Sequence, residues 1–101
     1  MNIKSLKGKG GRIEFHFLYR DSWGDFDEIV EAVLSQPKVS LIEKHNAVYM
    51  RWCRLSLVGR PFEVVFHEDI GTYIYSLDGS KEGDDLARAI ATAAAETKNS
   101  G

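Results

Sequence analysis

Residues 12–20, RIEFHFLYR, alternate between hydrophobic and mostly polar positions. One set of alternate side chains comprises Ile13, Phe15, Phe17 and Tyr19, and the other contains Glu14, His16, Leu18 and Arg20. A period of two residues is typical of a strand with one buried face. The pattern therefore predicts a first β-strand over this segment.

The period then changes to that of a helix. Hydrophobic residues recur three or four positions apart and stop before Pro37; they are Phe26, Ile29, Val30, Val33 and Leu34. This spacing predicts an amphipathic helix that ends ahead of the proline. Asp25 is expected to cap its first turn, with Glu28 three residues later completing a capping box.

Residues 38–78 contain three turn signals between short hydrophobic segments. The expected turns are His45-Asn46, Gly59-Arg60 ahead of Pro61, and Asp69-Ile70-Gly71. Asparagine and glycine tolerate the backbone geometry that tight hairpin turns require. Four further strands linked by hairpins are therefore predicted in this part of the chain.

One of these strands, over residues 48–58, does not keep a single alternation. Val48, Met50 and Trp52 share one face, whereas the hydrophobic residues that follow are Leu55 and Leu57. An extra residue in a strand changes which face its side chains occupy. The pattern predicts a β-bulge near Cys53-Arg54.

Residues 81–97 have a narrow apolar stripe that predicts a second, alanine-rich helix. The resulting element order is β-α-β-β-β-β-α. We expect a two-layer α+β fold, in which a five-stranded, mainly antiparallel sheet carries both helices on one face. The expected organisation is a flexible basic tail at 1–12, a single domain at 13–97 and a disordered C-terminus at 98–101.

The predicted sheet face opposite the helices is a possible interaction surface. Its expected side chains mix polar and apolar types: Glu14, His16, Leu18, Glu63, Val65, Thr72 and Ile74. Antiparallel sheets often leave one face to solvent, and a partly apolar face can also pair with a second copy. A homodimer through this open face is one alternative.

Composition limits the class of protein. The chain has 101 residues, of which 44% are hydrophobic, so one globular domain is expected. Its lone cysteine, Cys53, cannot form an intrachain disulfide. No segment has the length of apolar sequence that a membrane span or a secretory signal requires, which favours a soluble, cytoplasmic protein.

The net charge of −2 is unevenly distributed. The first twelve residues hold four of the thirteen lysines and arginines and none of the fifteen acidic residues. The remaining body is therefore acidic and is expected to attract basic partners and repel nucleic acid. Nucleic-acid binding through the tail with Arg51 and Arg54 remains an alternative.

The predicted topology gathers acidic residues at one edge of the sheet. A helical crossover makes the first two strands parallel, and two hairpins give the fourth strand the same direction. The ends of these three strands should bring together an aromatic side chain and five carboxylates: Asp21, Trp23, Asp25, Asp27, Glu68 and Asp69. We expect this acidic edge to bind a protein partner with a basic surface.

The sequence favours a protein-binding module over an enzyme. An acidic surface with an aromatic anchor suits an immunity or inhibitor protein that blocks a basic toxic enzyme, such as a nuclease. A small enzyme or metal-binding domain using His45, His67 and nearby carboxylates is the alternative. Those histidines lack paired-ligand spacing and Cys53 lies within a strand, so neither a metal nor another cofactor is expected.

Overall fold

The computed structural model describes residues 2–18 and 22–100, the last three of these as backbone only. The strands are β1 (Ile3–Lys7), β2 (Ile13–Phe17), β3 (Val39–Asn46), β4 (Met50–Leu57), β5 (Arg60–His67) and β6 (Gly71–Ser76). The helices are α1 (Trp23–Leu34) and α2 (Lys81–Ser100), and a short 3-10 turn, Lys9–Gly11, links β1 to β2.

All six strands form one antiparallel sheet in the order β1-β2-β6-β5-β4-β3. Both helices pack on the same face, where α1 contacts β3 and β5 while α2 contacts β1, β2 and β6. The main core lies between the helices and this face; it includes Phe15, Phe26, Phe62 and Ile74. The predicted α+β class is confirmed, with six strands rather than five.

The additional strand, β1, lies where a flexible basic tail was expected. It pairs antiparallel with β2, from Ile3 opposite Phe17 to Lys7 opposite Ile13. Only Ile3 packs against the main core, and the other four residues of the strand are exposed. An exposed edge strand held mainly by backbone pairing has little hydrophobic periodicity, and the sequence pattern therefore missed it.

The N-cap of helix α1 lies three residues before the expected one. Ser22 is the N-cap: its hydroxyl accepts a hydrogen bond from the amide of Asp25, and the Asp25 carboxylate accepts one from the amide of Ser22. This reciprocal pair is a capping box. Asp25 is thus the third residue of the helix rather than its cap. The sequence prediction placed the cap too late because the first turn contributes few residues to the hydrophobic pattern.

The bulge predicted near Cys53-Arg54 is wrong. Strand β4 pairs with β5 in continuous register from Met50 to Leu57, and the irregularity lies instead in β3, between Leu41 and Glu43. The hydrophobic residues of β4 change face because both faces of the sheet carry apolar side chains. Trp52 belongs to a second cluster on the open face, whereas Leu55 belongs to the main core.

The open face differs from the expected one in strand β6. Thr72 and Ile74 are buried on the helix-covered side, and Tyr73 and Tyr75 lie on the open face. Every residue of this strand is hydrophobic, polar-aromatic or small, so its alternation does not identify the covered face. The pairing of Ile74 with Val64 fixes the orientation.

Two turns are displaced from their predicted positions. The hairpin between β4 and β5 turns at Val58-Gly59, both with positive φ, instead of Gly59-Arg60. Strand β3 continues through Asn46, so its hairpin turns over residues 47–49 rather than at His45-Asn46. The third prediction was closer, because residues 68–70 form the loop and Gly71 follows with a φ of 99°.

Helix α2 packs through its small residues. Ala87, Ala91, Ala94 and Ala95 are all buried, together with Ile90. Short side chains allow the helix to approach α1 and the sheet closely. The helix continues to Ser100, three residues beyond the predicted domain boundary.

Candidate protein-binding surface

Strands β2, β3 and β5 run in the same direction, because each is separated from the next by one antiparallel strand. Their C-terminal ends therefore share one edge of the sheet. At this edge the Glu68 amide donates to the Tyr49 carbonyl at 3.1 Å, and the Trp23 ring lies 4.8 Å from that of Phe66. The loop after β3, the loop after β5 and the start of α1 are thus neighbours.

We call this region the tip and define it by seven residues: Trp23, Asp27, Val48, Tyr49, Glu68, Asp69 and Ile70. Large apolar side chains are exposed there. The exposed fraction is 77% for Val48, 67% for Tyr49, 56% for Ile70 and 39% for Trp23. Exposed apolar groups gathered at one place are typical of interaction sites, whereas isolated ones are not.

The sequence identified only part of the tip. The pattern places Val48 in a strand, because a hydrophobic run beside a turn signal resembles a strand end, and it gives Tyr49 no role. Ile70 was assigned to a turn without a role. The exposure of Ile70 could have been predicted, because it lies in a three-residue loop whose side chains cannot all face the core.

The predicted acidic residues are not equally available to a partner. The Asp25 carboxylate is part of the α1 capping box, and Asp27 forms a 2.7 Å ion pair with Arg51. Glu68 and Asp69 are exposed in the loop between β5 and β6. Asp21 lies outside the described residues. The acidic character of the tip therefore rests mainly on Glu68 and Asp69.

Arg51 connects the elements that meet at the tip. Its guanidinium donates to the side chains of Asn46 and Asp27 and to the carbonyl of Trp23. It also lies 4.8 Å from the centre of the Phe26 ring, within the range of cation–π attraction. This arginine positions β3, β4 and the first turn of α1 relative to one another.

The arginines proposed for nucleic-acid binding are engaged in intramolecular contacts. Arg51 holds the tip together, and the Arg54 guanidinium donates to the Glu63 carboxylate at 3.0 Å. An arginine already paired with a carboxylate releases few counterions when phosphate approaches. This arrangement does not favour the nucleic-acid alternative, whose remaining cations are on β1 and the turn after it.

The alternative of a metal-binding or acid–base site depends on two histidines, His45 and His67. His45 stacks on Trp52 with ring centres 5.3 Å apart, and the Nδ1 atom of His67 accepts the Asp69 amide at 3.1 Å. No group of three His, Cys, Asp or Glu residues suited to a metal ion occurs in the ranges 2–18 and 22–100. Cys53 is buried in the main core, and burial raises the pKa of its thiol.

One polar cluster on the open face is centred on Glu63. Its carboxylate accepts hydrogen bonds from the Tyr75 hydroxyl at 2.8 Å and from Arg54 at 3.0 Å. Burial, together with the bond to Glu63, raises the pKa of Tyr75, so this phenol remains protonated at neutral pH. The buried carboxylate is thus held by two donors.

A second cluster follows strand β2 on the same face. The Glu14 carboxylate is paired with Arg12 at 2.8 Å and lies 3.0 Å from His16, whose ring stacks on Tyr73. The Arg12 guanidinium also lies 3.9 Å from the centre of the Tyr75 ring. These side chains bury one another, so the open face has its own polar layer. The predicted homodimer through this face stays a prediction.

The described part of the chain has no helix long and apolar enough to cross a membrane. The chain matches no protein-family model, and comparisons with curated proteins and with solved structures give no significant match. Any functional conclusion therefore depends on the surfaces described above.

Proposed function

We propose that this protein is a small protein-binding module that recognises a basic partner through the tip. The observation that carries the proposal is the grouping of four exposed apolar side chains with Glu68 and Asp69 on adjoining loops. The apolar side chains are Trp23, Val48, Tyr49 and Ile70.

The composition of the tip suits protein recognition. Aromatic residues supply much of the binding energy at protein interfaces, because they bury a large apolar area with few rotatable bonds. Carboxylates at the rim attract a positively charged partner and raise the association rate. Tyr49 is the expected anchor, since it is more exposed than Trp23, whose ring partly packs on Phe66.

The class of partner that fits best is a basic enzyme. An enzyme that binds nucleic acid has a positively charged active site, and a rigid, acidic surface with aromatic groups can cover it. The tip has a rigid base, because Arg51 and the capping box fix the first turn of α1. The specific function that we propose is therefore that of an immunity or inhibitor protein, which binds such an enzyme in the cytoplasm.

The test compares the partners captured by the wild-type protein with those captured by a variant of the tip. Full-length wild-type protein is cross-linked in extract of its native cells alongside a Tyr49→Ala/Glu68→Lys/Asp69→Lys variant, and captured proteins are identified by mass spectrometry. The captured partner and the product of the adjacent gene are then purified and their affinities measured by calorimetry. We expect a basic partner whose dissociation constant rises at least a hundredfold in the tip variant.

The matched control carries the same kinds of change at other exposed positions. Val58→Ala/Glu82→Lys/Asp85→Lys alters the β4–β5 turn and α2, away from the tip. This control should bind the partner like the wild type, and both variants should retain the wild-type melting temperature within a few degrees. Equal loss of binding in the two variants, or an acidic partner, would contradict the proposal.

A further inference from the structure

Strand β3 is almost entirely exposed, although helix α1 contacts it. Seven of its eight residues are exposed, and only Val39 is partly buried. It lies at the edge of the sheet, so among the described residues no further strand pairs with the backbone groups on its outer side. An uncovered edge strand of this length is a template for pairing with another extended chain.

A groove runs beside this strand, between β3 and α1. Its volume is about 520 Å³, and it is lined by Asp27, Val30, Glu31, Leu34, Ser35 and Lys44. This volume is typical of sites that hold a ligand or a few side chains. Val30 and Leu34 supply an apolar floor, so the groove can accept a hydrophobic side chain.

The irregularity in β3 limits where a chain could add. The register shift between Leu41 and Glu43 interrupts the strand, and regular pairing with β4 resumes from Glu43 to Asn46. Bulges protect edge strands against indiscriminate pairing. The regular half includes Lys44, which lines the groove, and ends at the loop that carries Tyr49.

We propose that a partner's extended segment adds as a strand beside Glu43–Asn46 and places an apolar and a basic side chain in the groove. This inference rests on the proposed function, because it assigns the segment to the protein that binds the tip. Backbone hydrogen bonds to β3 would give affinity, and the groove would give side-chain specificity.

Charge selects the basic residue of this segment. Asp27 is already paired with Arg51, whereas the carboxylate of Glu31 forms no ion pair with any residue that the structure describes. Glu31 lies on the wall formed by α1, and Lys44 lies on the opposite wall formed by β3. A lysine or arginine of the segment is therefore attracted towards α1 and repelled from β3.

The experiment uses a displayed library of random octapeptides as the probe and the full-length protein as bait. Enriched peptides are synthesised and their affinities measured by fluorescence anisotropy. We expect sequences that combine lysine or arginine with β-branched or aromatic residues. Glu31→Lys should raise their dissociation constants at least tenfold, and Lys44→Glu should lower them severalfold. Amide exchange should become slower in residues 43–46 when peptide is bound.

Glu82→Lys is the matched control, since it makes the same charge change at an exposed position on α2. Peptides should bind this variant like the wild type. Absence of enrichment, or peptides that ignore the Glu31 and Lys44 changes, would overturn the strand-addition proposal. If the peptide experiment fails but the tip variant still does not bind the protein partner, only strand addition is wrong and the tip remains the proposed site. If the tip variant captures the partner as well as the wild type does, the proposed function itself is wrong.

Discussion

Val58 shows how a single residue can adopt a conformation that its side chain disfavours. Its φ is 51°, and it precedes Gly59, whose φ is 77°, so both central residues of the β4–β5 turn are left-handed. Such a turn matches the twist of a hairpin, but a β-branched side chain crowds the backbone there. Asn-Gly at these two positions would have predicted the turn from the sequence, whereas Val-Gly does not.

Replacing Val58 with asparagine should stabilise the protein. Asparagine tolerates positive φ, and the Val58 side chain is 75% exposed, so little packing is lost. We expect the free energy of unfolding to increase by about 1 kcal/mol, as measured by urea denaturation. Val48→Asn is the control, because Val48 is equally exposed but lacks a positive φ. Equal effects of the two substitutions would show that backbone strain is not the cause.

At the scale of the element, Asp78 organises the connection from β6 to α2. Its carboxylate accepts hydrogen bonds from the Ser76 and Ser80 hydroxyls, the Ser80 amide and Arg60. Ser80 in turn accepts the Gly83 amide in the first turn of α2. The bonds from Ser80, with those from Ser76 and Arg60, lower the pKa of Asp78 to about 2.

Asp78→Asn should therefore remove a pH-dependent part of the stability. A carboxyl group whose pKa is lower in the folded state stabilises the fold above its ordinary pKa, and that contribution is lost as the pH falls towards 2. We expect the variant to melt below the wild type at pH 7 and the difference to shrink between pH 4 and pH 2. Melting curves measure this, with Asp85→Asn as the control. A pH-independent difference would contradict this interpretation.

The elements that sequence patterns predicted well are those that bury one face. Strand β2 places two phenylalanines in the core, and helix α1 buries Phe26 with Ile29 and Val33, so the period of each hydrophobic pattern identifies the element. Strand β1 was missed because its sequence, IKSLK, has only two apolar residues and these do not alternate with polar ones. At the candidate site, strand order predicted which ends converge, whereas the exposure of Tyr49 depends on where β3 ends. The last residue of β3 is determined by how far this strand pairs with β4, and the local sequence does not encode that pairing.

At the scale of the whole molecule, β1 has a protective role despite its exposure. It pairs with β2, whose residues Phe15 and Phe17 are buried in the core. Without β1, the backbone of this hydrophobic strand would become a sheet edge. Edge strands of that kind promote association between chains.

Deletion of residues 1–7 should therefore destabilise the protein and cause it to associate. A flexible tail could be removed without effect, whereas loss of a paired strand should lower the melting temperature by several degrees. We expect increased light scattering at concentrations where the full chain is monodisperse. The control is replacement of Lys4 and Lys7 by serine, which keeps the strand but removes the charge. Unchanged stability after deletion would show that β1 contributes nothing to the fold.

The crossover from β2 to β3 also determines how the chain can acquire its structure. Strands β3 to β6 form successive hairpins, so each pairs with a strand close to it in sequence. Strand β2 instead pairs with β6, so that Phe15 lies opposite Ile74. These two residues are far apart in sequence, and all of α1, β3, β4 and β5 lies between them. Closing that long loop costs conformational entropy before the new contacts can repay it. We therefore expect pairing of β2 with β6, the two strands that α2 also contacts, to make a large contribution to the kinetic barrier to folding.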